Sequence, residues 1–232
     1  MVCCSLVNSS IVKQASIAGD LTIQRGTANH NDRGVINYWY KHSTGIYFIP
    51  YGDLTAIPDG ATINNIAFEY DLTLAPGGST YSISNAFGFI YLQSNQGFAQ
   101  MPSAMLNNGL ATSNTNYNNG IINYTDFWNA GSTGVNYSFT QASSDPNQRY
   151  VDIPFVNTMT YKAGHSIGIA IINNSGNYTG TGSTPGWLGD TSSGTLRHFF
   201  RQQNDTLGPY SVTGSSTASD LTFRPNIRID WV

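Results

Sequence analysis

Charged residues are scarce in this chain, and this scarcity excludes several kinds of protein. Only 10% of its 232 residues are charged, Glu69 is its one glutamate, and its lysines are Lys13, Lys41 and Lys162. Helix-favouring residues are therefore rare, whereas isoleucine, valine, threonine, tyrosine and phenylalanine recur throughout. The basic residues form no run that could neutralise a phosphate backbone. The composition predicts an all-β protein with no nucleic-acid partner.

Cysteines and long apolar runs are also missing. Cys3 and Cys4 are the only cysteines, and adjacent cysteines rarely bridge each other, so no internal disulfide framework is available. We expect the pair to pack as small residues in an N-terminal arm, with a bridge to another chain or metal binding as alternatives. The apolar stretches have only the length of strands, and the opening MVCCSLVNSS has neither a basic region nor a continuous apolar one. We therefore expect no membrane insertion and no secretory signal peptide.

The chain does have many hydrophobic and aromatic residues. They make up 40% and 12% of the sequence, which is enough for one buried core and unlike a disordered chain. Residues 1–34 mix short apolar runs with polar spacers, and we interpret them as an N-terminal arm with an early strand. Residues 35–232 are expected to form a single β-sandwich domain.

Period-two patterns identify the strands. Ile66, Phe68 and Tyr70 alternate with Ala67 and Glu69, the pattern of a half-buried strand. Residues 87–92 are apolar on both faces, which favours a central strand, and further strands are predicted at 135–140, 151–156, 165–172, 196–202 and 226–232. Residues 93–119 and 173–194 are predicted to be long loops. We expect two packed antiparallel sheets, with a core that includes Ile66, Phe68, Tyr70, Ile153, Phe155, Ile169 and Ile229.

The arm carries too many apolar residues for a free tail. They are Leu6, Val7, Ile11, Val12, Ile17, Leu21 and Ile23. We expect the arm to be an assembly element that adds to the sheet of a neighbouring subunit. The alternative is that it folds back as an edge strand of its own sandwich.

The residues that could support catalysis form no recognisable set. Asp126, Asp152 and Asp190 are conceivable carboxylate pairs for glycoside hydrolysis, but aspartates are common in turns and at strand ends. The histidines His42, His165 and His198 come without a G-x-S-x-G nucleophile elbow. We expect a protein that is not an enzyme.

Aromatic residues set in polar loops are better candidates for a binding site. They lie among asparagines and aspartates, a mixture that suits sugar stacking or a protein interface, unless the rings merely close the ends of the sandwich. No metal-binding motif and no cofactor motif is present, although a calcium ion held by loop carbonyls would leave no trace in the sequence. The candidate ligand-binding residues are Tyr124, Trp128, Tyr178, Trp187 and Asp190.

Two parts of the chain resemble a known group of domains. Residues 57–71, IPDGATINNIAFEYD, and the later stretches LRHFFRQQND and TFRPNIRID are similar to strands of β-sandwich domains in exported, adhesin-like proteins of Bacteroidetes. The resemblance brackets the chain from Tyr47 to Asp230, with no motif in its middle. It implies a jelly-roll-like sandwich in an extracellular setting, where binding or display is more usual than catalysis.

The departures from that group favour a bacteriophage setting. The chain shows no signal peptide, no fibronectin-like repeats and no sorting tail, none of which a virion protein needs. We therefore expect a non-enzymatic structural protein at a virion surface, such as a head decoration, fibre or tail-associated protein. Its expected partners are other virion subunits, further copies of itself in a homo-oligomer and a host-surface glycan. The alternative is a secreted carbohydrate-binding or adhesive module of a bacterial cell surface.

Overall fold

The computed structural model describes residues 18–30, 41–71, 80–93, 121–126, 134–140, 149–176, 186–190, 199–204, 217–221 and 223–232. These residues form strands and one short 3-10 helix, Tyr51–Asp53. The strands are β1 Gly19–Ile23, β2 Ala28–His30, β3 His42–Ile49, β4 Thr62–Asp71, β5 Thr80–Gln93, β6 Ile121–Asp126, β7 Val135–Thr140, β8 Tyr150–Thr160, β9 Ser166–Asn173, β10 Gly186–Asp190, β11 Phe199–Asn204, β12 Thr217–Leu221, β13 Arg224–Pro225 and β14 Ile227–Trp231.

These strands form two sheets of seven strands each. Sheet I has the order β1-β14-β4-β10-β13, with β2 beside β10 and β8 beside β4. Sheet II has the order β12-β11-β3-β9-β5-β6, with β7 beside β5. The sheets share one core, in which the rings of Tyr47 (sheet II) and Phe68 (sheet I) have centroids 5.1 Å apart. The predicted all-β fold of two antiparallel sheets is confirmed, and its jelly-roll topology stays a prediction.

The predicted core residues lie where the two sheets meet. Phe155 is the one that is only half-buried, although it packs against the core. It belongs to edge strand β8, where a shift of register leaves residues 155–158 opposite Asn64 alone. The other six are at most 2% exposed: Ile66, Phe68, Tyr70, Ile153, Ile169 and Ile229.

The outer face of sheet I carries a network of ion pairs. Arg228 of β14 lies beside Ala67 of β4, which in turn pairs with Asp152 of β8. Because Ala67 is small, Arg228 reaches across it, and its Nη2 donates to Asp152 Oδ1 at 2.6 Å while its Nε donates to Asp230 Oδ1 at 3.0 Å. The sequence predicted that Ala67 and Glu69 lie on the exposed face of a half-buried strand. This prediction is wrong, because both residues are buried.

The outer face of the described central strands of sheet II, β3, β9 and β5, is apolar. Every residue of the central strand β9 is buried. Residues 86–92 of β5 are buried as well, and β5 lies between β9 and β6, which confirms the central strand predicted at residues 87–92. Gly168 of β9 lies between Phe48 of β3 and Tyr91 of β5, and Ala170 lies between Ile46 and Phe89. A Cβ at Gly168 would come within 1.8 Å of the Tyr91 ring. Small residues of β9 therefore make room for large side chains from both neighbouring strands.

The segment of residues 18–30 belongs to the sandwich of its own chain. β1 pairs with β14, and β2 pairs with β10. Ile23 is buried in the core, and Leu21 packs against it. The expectation that these two side chains are covered by another subunit is therefore wrong, because pairing along β14 buries them locally. The alternative, an edge strand of the same sandwich, holds for β1. The domain boundary at residue 34 stays a prediction. Residues 1–17, including Cys3 and Cys4, lie outside the described residues.

Candidate functional site

Trp187, a predicted stacking residue, is a core side chain. It lies in β10, between Tyr70 of β4 and His30 of β2, and is 1% exposed. The prediction of one loop over residues 173–194 is wrong at Gly186–Asp190, because these residues complete sheet I. The ring of Trp187 therefore offers no open face to a sugar.

The other candidate aromatic residues are not brought together by the described structure. Tyr124 lies in β6, opposite Tyr91 of β5 in the ladder, and its side chain is outside the described part. Trp128 and Tyr178 lie outside the described residues altogether. Of the five candidates, Asp190 is the one that pairs with a residue lining a cleft, Arg224.

This cleft lies where the end of β1 meets β3, β13 and β14. Its empty space is about 270 Å³, part of which is open solvent. Two arginines, Arg25 and Arg224, line it together with an apolar floor that includes Ile23, Ile49, Pro225 and Ile227. We call it the two-arginine cleft. The enclosed part of this space is about 10 Å³, which is room for one water molecule.

Each arginine of the two-arginine cleft is paired with an aspartate. Nη2 of Arg25 donates to Asp53 Oδ2 on the 3-10 helix, and Nη2 of Arg224 donates to Asp190 Oδ2 at the end of β10. These four side chains are partly buried, between 15% and 26% exposed. The two positive charges are therefore each paired with a negative charge within the protein.

Asn226 positions the backbone beside Arg25. Its Oδ1 accepts hydrogen bonds from the backbone N–H groups of Arg25 at 2.6 Å and Gly26 at 3.2 Å. Its Nδ2 donates to the Gly26 carbonyl at 2.7 Å and to Glu69 Oε2 at 2.6 Å. These bonds explain the asparagine in the R-P-N-I stretch. Its buried side-chain amide satisfies the backbone N–H and C=O groups of the segment that joins β1 to β2.

The approach of two strands here also requires glycines. A Cβ at Gly26 would come within 2.8 Å of the Gly189 carbonyl oxygen, and one at Gly189 would come within 2.2 Å of the Arg224 carbonyl oxygen. Sequence reasoning missed Arg25, Asp53 and Arg224 as members of a site. The available signal was the place of Arg224 at the start of the quoted RPNI stretch.

Two of the aspartates considered for catalysis, Asp152 and Asp190, form ion pairs in different parts of the molecule. Asp152 pairs with Arg228 on the outer face of sheet I, and Asp190 pairs with Arg224 in the two-arginine cleft. His42 Nδ1 lies 2.8 Å from Asn174 Oδ1, and His165 Nδ1 lies 3.1 Å from the Ala163 carbonyl oxygen. These contacts describe structural roles. The absence of catalysis stays a prediction, and His198 and the Asp126 side chain lie outside the described part.

Burial and ion pairs shift a few titratable groups. Burial, with a contribution from the Asp152 carboxylate, raises the pKa of Tyr137 well above its usual range. Burial lowers the pKa of Arg228, but its hydrogen bond to Asp230 and the carboxylates around it outweigh this and raise that pKa overall. Both groups therefore keep their protons at neutral pH, so that Arg228 remains a cation at the centre of its network.

Comparison with known proteins adds no relative: no family model, no curated protein and no solved structure matches the chain. The resemblance to Bacteroidetes domains stays a prediction.

Among the residues that the structure describes, no helix is long and apolar enough to span a membrane. Within the same residues, no group of three or more histidine, cysteine, aspartate or glutamate side chains could hold a metal ion. A calcium ion bound by loop carbonyls also stays a prediction.

Proposed function

We propose that this chain is a non-enzymatic structural protein of a virion surface, a head decoration, fibre or tail-associated protein that displays its β-sandwich. The observation that carries the proposal is the pairing of arginine side chains with aspartates of the same chain. Arg224 and Arg228 bind aspartates of other strands, and Arg25, which follows β1, binds Asp53 of the 3-10 helix. Such pairs engage the charged side chains within the fold, as in a protein whose role is structural.

The neutral polar composition supports the same proposal. With 10% charged residues, solubility depends on asparagine, serine, threonine and glycine, which suits a display surface in contact with many neighbours. Symmetric association of several copies is expected for such a protein. Because residues 18–30 complete their own sheet, the proposed attachment to other subunits is assigned to residues 1–17.

A mass-spectrometric search for this chain in purified phage particles tests the proposal. We expect the chain to be recovered in a fixed ratio to the major capsid protein. Its absence from the particles would overturn the virion assignment. Neighbouring capsid and portal genes would agree with it, whereas surface-export genes would contradict it.

A secreted carbohydrate-binding or adhesive module is the second candidate function. The resemblance of residues 57–71 to strands of adhesin-like β-sandwich domains favours it. Recovery of the chain from culture medium or from a bacterial cell surface, with none in particles, would select this candidate.

A further inference from the structure

The two long edges of sheet I differ in how well they are protected from a further strand. At one edge, Pro154 of β8 has no N–H group to donate, and a bulge leaves residues 155–158 opposite Asn64 alone. Prolines and bulges are features by which edge strands avoid pairing with other chains. The β8 edge is therefore closed to a regular partner strand.

The opposite edge, β1, has neither a proline nor a bulge. Its five residues pair with β14 without a shift of register, from Gly19 opposite Trp231 to Ile23 opposite Ile227. Among the strands that the structure describes, none pairs with the other side of β1. The N–H and C=O groups of alternate residues in an antiparallel strand point to opposite sides. Part of the backbone of β1 therefore points away from β14, as a template for a strand of another chain.

The side chains of β1 restrict which strand can be added. Leu21 and Ile23 pack against the core of their own sandwich, whereas Asp20 and Thr22 are exposed. An added strand thus forms backbone hydrogen bonds and contacts with the exposed pair, and leaves the core as it is. It must also accommodate the charge of Asp20, which already lies opposite another carboxylate, Asp230, in the ladder with β14.

A second copy of β1 meets this requirement. Two copies related by a two-fold axis run antiparallel, and full overlap of their five residues sets Leu21 opposite Leu21 and Asp20 opposite Thr22. The Thr22 hydroxyl of each copy can then donate to the Asp20 carboxylate of the other. A shift of two residues would instead set Asp20 opposite Asp20, where the like charges repel. Full overlap therefore forms the most backbone hydrogen bonds and keeps the two carboxylates from facing each other.

We propose that the chain forms a two-fold dimer in which β1 pairs antiparallel with β1 of a second copy, so that the two copies of sheet I form one continuous sheet. The interface is small beside the roughly 1,600 Å² of a standard one, so the dissociation constant is on the order of 100 µM. Weak contacts of this kind hold when many copies lie close together, as on a particle surface. The inference rests on the proposed function, of which symmetric association of several copies is a part.

Analytical ultracentrifugation of the full-length chain tests the proposal. At about 10 µM the chain should sediment as a monomer, and at about 1 mM mainly as a dimer. A chain that stays monomeric over this whole range would overturn the proposal.

Two substitutions of Thr22 test the register, because their expected effects have opposite signs. Thr22→Asp sets a carboxylate opposite Asp20 twice and should raise the dissociation constant about tenfold, whereas Thr22→Lys sets an ammonium group there and should lower it about tenfold. Thr22 is exposed, and an aspartate at this position lies beside Arg228 of β14, so Thr22→Asp should fold. Equal dissociation constants for the two variants would overturn the proposal.

The matched control is Thr158→Asp, which makes the same change of charge at an exposed position of β8. It should leave the dissociation constant unchanged. A rise as large as that of Thr22→Asp would mean that overall charge, and not the β1 edge, controls association, and would contradict the proposal.

Hydrogen exchange of the unsubstituted chain identifies the strand that pairs. In the dimer the outward N–H groups of β1 donate to the second copy, so their exchange should slow as concentration rises, while exchange in β8 should not change. Protection of β1 that does not depend on concentration would overturn the proposal. Failure of the dimer is separate from failure of the virion assignment: a chain recovered from particles that stays monomeric in solution refutes only the dimer, and a dimer absent from particles refutes only the virion role.

Discussion

On the outer face of sheet I an arginine lies over a small residue, whereas on sheet II a tyrosine does. Arg228 crosses Ala67 to reach Asp152, and Tyr91 covers Gly168. In both sheets the small residue belongs to an inner strand and makes room for a long side chain from its neighbour. The difference is in hydration, because Arg228 remains 29% exposed while Tyr91 is 2% exposed.

This contrast sets the expected size of each contribution to stability. Exposed or half-exposed ion pairs contribute little, since water solvates the separated charges nearly as well. Removal of a buried ring loses both its transfer free energy and the packing of its neighbours. We therefore expect the outer face of sheet II to be sensitive to substitution and that of sheet I to be tolerant.

The largest effect is expected for Phe89→Ala on sheet II. Phe89 is buried beside Ala170, and its loss should lower the free energy of unfolding by about 4 kcal/mol. Urea denaturation followed by fluorescence measures the change. The control is Val156→Ala, which shortens a hydrophobic side chain that is 69% exposed and should cost less than about 0.5 kcal/mol. Similar losses in the two variants would contradict an apolar layer on sheet II.

Asn226→Ala is expected to have the next largest effect on stability. It is an exception to the tolerance expected of sheet I, because Asn226 is buried. The substitution leaves Glu69 and the backbone of Arg25 and Gly26 without their hydrogen bonds, at a cost of about 3 kcal/mol. Thermal unfolding by circular dichroism and hydrogen exchange of β1 should both report it. Asn136→Ala, at an exposed position of β7, is the control. A stable variant with protected β1 amides would show that Asn226 does not hold the N-terminal segment.

A pH titration tests the core that lies between the two faces. Burial, followed by the Asp59 carboxylate, raises the pKa of Tyr161 from 10.0 to about 12. Between these values the unfolded chain has lost the proton that the folded chain keeps, so the free energy of unfolding falls as pH rises from 10 to 12. This contribution is fully present below pH 10.

Tyr161→Phe should reduce the alkaline loss of stability, measured as the urea midpoint at about pH 9 and about pH 11. The slope should not vanish, because the pKa of Tyr137 is raised as well. An unchanged slope in Tyr161→Phe would refute the assignment to this group.

The smallest effect is expected for Arg228→Met on sheet I. It removes the cation that pairs with Asp152 and Asp230, but both carboxylates are exposed enough to be solvated, so the loss should be about 1 kcal/mol. The loss should shrink further in high salt. Asp20→Asn removes a negative charge opposite Asp230, and it should change the free energy of unfolding by close to zero. A loss as large as that of Phe89→Ala would remove the contrast between the two faces.

Strand positions were predictable wherever local patterning carries the information. The strand predicted at residues 226–232 with Ile229 in the core is confirmed, and Ile227 and Trp231 are buried on the same face. The same reasoning failed at β10, because a short strand rich in glycine has no period-two pattern and is defined by its neighbours β2 and β4. Of the candidate site, Asp190 was predicted as a ligand-binding residue without its partner Arg224.

The sequence by itself determined the fold class, since few helix formers, many β-branched residues and period-two patterns act locally along the chain. Only the tertiary structure decided which faces are covered and which charged groups meet. Arg25 and Asp53 are 28 residues apart, and Arg25 lies 201 residues from Asn226, which orders its backbone. Contacts over such separations depend on strand order and register, and no local pattern of residue types encodes either.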